Sequence, residues 1–270
     1  MPELPEVEVT RQGIEPYVMG QTVANVGIYH PRLRWTIPQG LKRALKNQPL
    51  LSLTRRGKYL LWEFPTGTLL MHFGMSGKLK IGDTPLKPHD HFELTFTNHL
   101  KIRLNDPRRF GCVLWTTEPA LQHPLLAILG PEPLTRAFSP HYLFEKARGK
   151  HQAIKTFIMD SHIVVGVGNI YATEALFYAH IHPQMPAGEL TLKQTQILVP
   201  IIKRILKNAI KHGGTTIRDF LSGHGERGYF SLKLAAYGRE GKPCVVCGKP
   251  LHSIRQSQRT TTYCPHCQKR

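Results

Sequence analysis

Four cysteines near the C-terminus constrain this chain more than any other feature: Cys244-Val-Val-Cys247 and Cys264-Pro-His-Cys267 are two CxxC pairs with 16 residues between them. Four thiolates at that spacing close a tetrahedral shell around one zinc ion and leave no open coordination position, which makes the metal structural. A redox dithiol would account for one pair and leave the other unexplained. The fifth cysteine, Cys112, lies in a strand-like run and reads as a small core residue. The segment between the pairs, LHSIRQSQRTTTY, is β-prone and basic, so the metal is expected to stabilise a hairpin too short to fold alone, carrying Arg255 and Arg259. From Arg239 onward there are seven Lys and Arg against one Glu.

That local bias extends to the whole chain. Its 270 residues carry 36 Lys and Arg against 18 Asp and Glu, a formal net charge of +18 with 15 histidines in reserve. An excess of this size points to phosphate backbones as the partner, with binding that weakens steeply in salt. No stretch approaches the length of a membrane span, and no basic segment followed by an apolar one opens the chain, so a cytoplasmic location is expected. The length favours more than one core.

The texture changes twice along the chain. From Pro5, PEVEVTRQGIEPYVMG reads as a helix start with Val7, Val9 and Ile14 as a partial apolar face. After Gly20, TVANVGIYH, LLSLTRR, KYLLWEF and TLLMHF read as strands punctuated by Pro and Gly. Phe92, Leu94 and Phe96 alternate with Glu93, Thr95 and Thr97, and Leu100, Ile102 and Leu104 with Lys101 and Arg103, which predicts a hairpin with one core face turning at Asn98-His99. NDPRRFG joins the second of these strands to CVLWTT. Beyond about residue 120 the period becomes helical, in four or five segments. In the last, Ile197, Leu198, Ile201, Ile202, Ile205 and Leu206 form an apolar stripe, with a kink expected at Pro200. The segments divide as 1–120, 121–236 and 237–270.

The stretches MPELPEVE, RRGKYLL, HFGMSG, DPRRFG, VVGVGNIYATEALF, GGTTIRDF, YGREGKPC and QRTTTYCPHCQ resemble, in order and over essentially the whole chain, the formamidopyrimidine-DNA glycosylase family. The leucine between Glu3 and Pro5, together with the DPRRF tip, resembles the purine-directed branch rather than the endonuclease VIII branch. The resemblance implies an α+β chain: an N-terminal β-sandwich catalytic domain with a leading helix, a helical DNA-binding domain with a helix-two-turn-helix, and a C-terminal four-cysteine zinc-finger β-hairpin, with damaged duplex DNA in the cleft between lobes. One structural zinc held by Cys244, Cys247, Cys264 and Cys267 is expected, with no organic cofactor, no membrane partner and a monomeric chain.

The same resemblance implies a bifunctional glycosylase and abasic-site lyase that removes oxidised purines. With Met1 removed, Pro2 becomes an N-terminal secondary amine, and an α-amino group with a pKa near ~8 is partly neutral and nucleophilic at physiological pH. Glu3 is then the acid/base at the sugar, Glu6 a second acid one turn on, Lys58 the lysine of β-elimination and Arg259 the arginine of δ-elimination. Met75, Arg108 and Phe110 match the family's intercalating trio, while His72, His89, Lys150, Lys155, Asn169 and Tyr237 match its phosphate grip, with His91 an alternative to His89. The segment Thr216 to Phe230 matches a loop over the extruded base. A non-catalytic zinc protein that binds damaged or kinked DNA would share the charge, the metal and the tip; an endonuclease VIII-like enzyme for oxidised pyrimidines would share the general plan.

Overall fold

The computed structural model describes residues 2–83, 85–213 and 234–269, so the Thr216 to Phe230 loop lies outside the described residues. The chain divides into two compact units, one built on residues up to 128, the other on 129–212 with the C-terminal segment.

The first unit opens with α1, Leu4–Val18, followed by β1, Val23–Ile28, and a short helix α2, Leu41–Leu45. Then come β2, Ser52–Arg56; β3, Tyr59–Phe64; β4, Gly67–His72; β5, Lys78–Ile81; β6, Asp90–Phe96; β7, Lys101–Asn105; and β8, Cys112–Thr116. A four-residue helix α3, Pro124–Ala127, follows. The strands form two four-stranded antiparallel sheets, β1-β6-β7-β5 and β2-β3-β4-β8. Alternation puts Val26, Phe92, Leu94, Ile102 and Leu104 of one sheet against Leu53, Leu60, Trp62, Leu69, Met71 and Val113 of the other in a single core. Val7, Ile14 and Val18 of α1 join it, whereas Val9 stays half-buried at the margin.

The polar face of the β6–β7 hairpin differs from the solvated face that simple alternation predicts. Glu93 and Arg103 are directly paired across the strands and both are buried. The Arg103 guanidinium donates to Glu93 and reaches Asp90, and Lys80 of β5 donates to Asp90 at 2.9 Å. The strands are covered on both sides because these charges neutralise one another; an unpaired ion there would be prohibitive. The hairpin turn does fall at Asn98-His99, with His99 at φ 65°.

The second unit contains α4, Pro140–Ala147; α5, Ile154–Met159; α6, Asn169–Tyr178; α7, Leu192–Lys211; and the hairpin of β9, His252–Gln256, with β10, Arg259–Tyr263. Helix α7 starts from a Thr191–Gln194 capping box and runs as one helix through Pro200. Its buried stripe is Thr195, Leu198, Val199, Ile201, Ile202, Leu206 and Ala209, and Ile197 of the expected stripe instead faces solvent at 45 % exposure. Phe177 at the C-terminal end of α6 packs with Leu251, Ala235, Ala236, Cys244 and Cys264, which ties the cysteine module to the helices within this unit. The Glu174 carboxylate, buried on α6, accepts the backbone N–H groups of Ala235, Ala236 and Tyr237 at 2.8–2.9 Å. No helix among the described residues is long and apolar enough to cross a membrane.

Candidate active site and nucleic-acid interface

Glu3 is the N-cap of α1, and Pro5 in the first turn supplies a preset φ where no intrahelical N–H bond is lost. The Glu6 carboxylate accepts the Glu3 backbone N–H at 2.9 Å, half of a capping box. Glu3 is buried and Pro2, immediately before it, is half-buried. The two carboxylates thus share one helix end, where the dipole favours negative charge.

Two contacts set the direction in which α1 crosses the sheet. The Arg11 guanidinium donates to the Leu53 carbonyl at 3.2 Å, and Arg55 Nε donates to Glu8 at 2.9 Å. Moving toward the helix N-terminus therefore means moving toward the C-terminal end of β2. From Glu8 back to Glu3 is about 8 Å of helix, and Lys58 lies just past the end of β2, one strand residue and Gly57 beyond Arg55. Lys58 occupies the two-residue turn between β2 and β3, entered through Gly57 at φ 58°, which a residue with a Cβ would adopt only under strain. Pro2, Glu3, Glu6 and Lys58 consequently gather at one end of the β2-β3-β4-β8 sheet.

His72 belongs to the same end. It pairs with Tyr59 on one side and Cys112 on the other, and its ring lies 4.7 Å from that of Tyr59. Its Nδ1 accepts the Gly74 N–H at 3.0 Å. Burial, reinforced by the positive charges of Lys58 and Arg34, pulls its pKa down to about 4, so it acts as a neutral imidazole near pH 7.

Beyond His72 and before Cys112, two loops meet. Gly74 sits at φ 60° with its Cα against the Phe110 backbone, so that a Cβ there would run into it. Met75, Arg108 and Phe110 are all exposed, Met75 and Phe110 each at 42 %, and the Arg108 guanidinium lies 4.8 Å over the Phe110 ring. An exposed thioether and an exposed phenyl, on two loops that meet where Gly74 touches the Phe110 backbone, contribute little to the core and can enter another molecule. Asp106, fully buried, fixes the base of this tip: Oδ2 accepts the Gly111 N–H at 2.8 Å and Oδ1 accepts from Ser76 Oγ at 2.6 Å. In the sequence Asp106 stands out only as part of the NDPRRFG connection between two strands.

His89 is exposed at φ 72°, while His91 is buried with Nε2 2.9 Å from the Asp106 carbonyl. Between the two histidines, His89 is the one free to meet a partner, and His91 braces the tip.

In the second unit Lys150 is exposed. Lys155 is not: its side chain is buried, and Nζ donates to Asn169 Oδ1 and Thr261 Oγ1, both at 2.6 Å. Asn169 is the first residue of α6 after Gly168, and its amide donates to the Thr260 carbonyl at 3.3 Å. Lys155 and Asn169 together clamp β10 onto the start of α6. Arg259 opens β10 beside a tight turn in which Ser257 and Gln258 both have positive φ, and it is exposed. With Gln256 and Lys155 it lines a cavity of about 250 Å³. Tyr237 is half-buried, held at its backbone by Glu174. Glu174 itself was missed in the sequence, where it reads as an ordinary helix residue.

The cysteines converge. Their four sulfurs lie within 4.8 Å of one another, with Cys244–Cys267 at 4.0 Å and Cys247–Cys264 at 3.5 Å. A tetrahedron with Zn–S near 2.3 Å requires sulfurs about 3.8 Å apart. Backbone N–H groups of Val246 and Cys267 point at Cys244 and Cys264 sulfurs at 3.4 Å, as expected around thiolates. This donor set fits one structural zinc ion.

Comparison with known proteins agrees with this geometry. Residues 1–113 match the formamidopyrimidine-DNA glycosylase N-terminal domain, 129–221 the formamidopyrimidine-DNA glycosylase H2TH domain, and 241–270 the zinc finger found in FPG and IleRS. The formamidopyrimidine-DNA glycosylases of Saccharophagus degradans and Methylococcus capsulatus are 54% and 51% identical over the full length of both chains. Among solved structures, the MutM (FPG) protein of Thermus thermophilus superposes with a TM-score of 0.88 at 35% identity, covering 99% of this chain and 98% of that one. Lactococcus lactis Fpg in complex with DNA containing an abasic site superposes at 0.91 with 32% identity, covering 99% and 100%. With a sandwich, a helical module and a four-cysteine hairpin each matched in order, the chain belongs to the formamidopyrimidine-DNA glycosylase family.

Proposed function

We propose that this chain excises oxidised purines from duplex DNA and then cleaves the strand at the resulting site, using the secondary amine of Pro2 once Met1 has been removed. The observation that carries the reading is the placement of half-buried Pro2 and buried Glu3 at the start of α1, on the sheet end where the Lys58 turn also lies. A rigid helix holding an amine whose pKa lies far below that of a lysine reduces the entropic cost of attack and supplies a neutral nucleophile.

In this scheme the Pro2 nitrogen attacks the anomeric sugar carbon, the bond to the damaged base breaks, and Glu3 handles the proton at the sugar. The ring-opened product is an iminium, which acidifies the neighbouring C2′–H; removal of that proton expels the 3′ phosphate, and a second elimination expels the 5′ phosphate. Glu6 anchors the Glu3 backbone, Lys58 stabilises the first departing phosphate and Arg259 the second. His72, being neutral, can offer phosphate a hydrogen bond through Nε2 but no charge. Lys150 and His89 are exposed donors suited to phosphate, and Tyr237, whose backbone N–H is held by Glu174, would add a hydroxyl donor. Lys155 acts from inside, orienting the Asn169 amide at the start of α6.

The target nucleotide must leave the stack to reach Pro2. Met75 and Phe110 would fill and wedge the gap, and Arg108 would hydrogen-bond the orphaned base, offsetting an unstacking cost of a few kcal/mol. The segments 1–120, 121–236 and 237–270 then serve as catalytic, helical and zinc modules, in a cytoplasmic protein that works on the nucleoid.

Borohydride trapping on duplexes with 8-oxoguanine opposite cytosine, and in parallel with an oxidised pyrimidine, tests this. A covalent complex forming preferentially with the purine lesion is expected. Preference for the pyrimidine would move the chain to endonuclease VIII-like specificity, and no complex with zinc-loaded, Met1-free protein would leave a damaged-DNA binder.

A further inference from the structure

The two tips assigned above to the vacated base step are joined by one hydroxyl. Ser76, directly after Met75, donates from Oγ to Asp106 Oδ1 at 2.6 Å and accepts the backbone N–H of Arg108 at 3.1 Å. The other Asp106 oxygen takes the Gly111 N–H at 2.8 Å. Asp106 also accepts the Arg109 N–H at its own carbonyl, and its N–H donates to the His89 carbonyl. The amides of residues 108, 109 and 111 are thereby all tied to Asp106 or to the hydroxyl bound to it, while the side chains of Arg108 and Phe110 remain exposed.

We infer that Ser76 is a positioning residue for reading the base opposite the lesion: its hydroxyl locks the Met75 loop to the Arg108–Phe110 tip, so that filling the vacated space and hydrogen-bonding the orphaned base occur in one register. This rests on the assignment of Arg108 to the orphaned base. The physical ground is that a hydroxyl which both donates and accepts fixes the relative position of two loops in a way that no apolar side chain of similar size can. Gly74 contributes from the other side, because only a residue without a Cβ lets the Met75 loop approach the Phe110 backbone this closely. Arg108 has a long flexible side chain, so its discrimination depends on where its backbone is held.

The experiment compares wild type, Ser76→Ala, Ser76→Thr, Arg108→Ala and the Ser76→Ala/Arg108→Ala pair, each zinc-loaded and with Met1 removed. The readout is the ratio of kcat/KM for 8-oxoguanine opposite cytosine to that opposite adenine. Ser76→Ala is expected to lower the ratio about three- to tenfold, as loss of one or two coupled hydrogen bonds would. Ser76→Thr, which retains the hydroxyl, should restore most of it. The double variant should show no further fall beyond Arg108→Ala alone, since the hydroxyl acts through the arginine. Amide hydrogen exchange at Arg108 and Gly111 should speed up in Ser76→Ala but not in Ser76→Thr.

A merely structural serine would lower activity opposite both bases equally and leave the ratio unchanged. If Arg108→Ala collapses the ratio and Ser76→Ala does not, the inference about Ser76 fails and the role of Arg108 stands. If Arg108→Ala leaves the ratio intact, the assignment of Arg108 fails and the inference falls with it.

Discussion

Replacing Glu174 by Gln should loosen the cysteine module from α6 without touching a metal ligand. The carboxylate makes three bonds: Oε1 accepts from Ala236 at 2.9 Å and Tyr237 at 2.8 Å, and Oε2 accepts from Ala235 at 2.8 Å. With the glutamine oxygen at the Oε1 position, two bonds lose their charge assistance, about 1 kcal/mol each. The amide nitrogen then faces the Ala235 N–H, leaving a buried donor unsatisfied at a cost of about 1–3 kcal/mol. The sum is about 3–5 kcal/mol, a large share of the stability of an ordinary domain. Flipping the amide leaves two donors unsatisfied instead of one and does not help. Urea unfolding at fixed excess zinc, with wild type and variant compared at equal m-value, measures it. A loss under about 1 kcal/mol would refute the idea that this buried carboxylate anchors the segment leading into the cysteine module.

Chelation of zinc, or Cys264→Ser, should unfold the β9–β10 hairpin and expose Leu251 and Ala236; a cysteine-module spectrum unchanged after zinc removal by a strong chelator would contradict a structural metal. Lowering pH from about 6.5 to about 4 should progressively destabilise the first unit. The reason is that His72, held neutral by burial and by Lys58 and Arg34, binds its proton more weakly folded than unfolded. His72→Gln should flatten that part of the stability-versus-pH curve, and an NMR titration giving His72 a midpoint near ~6.5 would remove the basis for the claim. Affinity for undamaged duplex should fall linearly with salt on a log–log plot, and Lys150→Ala should reduce the slope by about one unit; an unchanged slope would place Lys150 off the phosphate path.

The parts of this molecule carried by local pattern were legible in the sequence. Two CxxC pairs 16 residues apart imply a metal site whatever the surrounding fold, and the alternation in Phe92, Leu94, Phe96, Ile102 and Leu104 assigns strands and their inward face. The short elements α2 and β5 were missed, because four or five residues hold too little periodicity to stand out from a loop. The larger omissions are buried charges. Glu93 and Arg103 read as the solvent side of their strands and Lys155 as a phosphate ligand, while nothing in the sequence singles out Asp90 or Glu174; all five are buried, since burial of an ion depends on a partner that sequence separation hides: Lys155 meets Thr261 across more than a hundred residues of chain. Ile197 shows the reverse case, an apolar residue in phase with a stripe whose covered arc ends one position away. The site residues were read largely from motifs, and the structure adds what motifs lack: that Glu3, Lys58 and His72 share a sheet end, and that His91 is used up in bracing while His89 is exposed.

The central claim is that Pro2 is the nucleophile. Protein with Met1 removed is incubated with a duplex containing 8-oxoguanine, reduced with borohydride, digested with nuclease and trypsin, and sequenced by mass spectrometry. The account predicts a sugar-derived adduct on the N-terminal nitrogen of the peptide spanning residues 2–11, and none when Met1 is retained. An adduct on a lysine, Lys58 above all, or equal trapping with Met1 still in place, would contradict it.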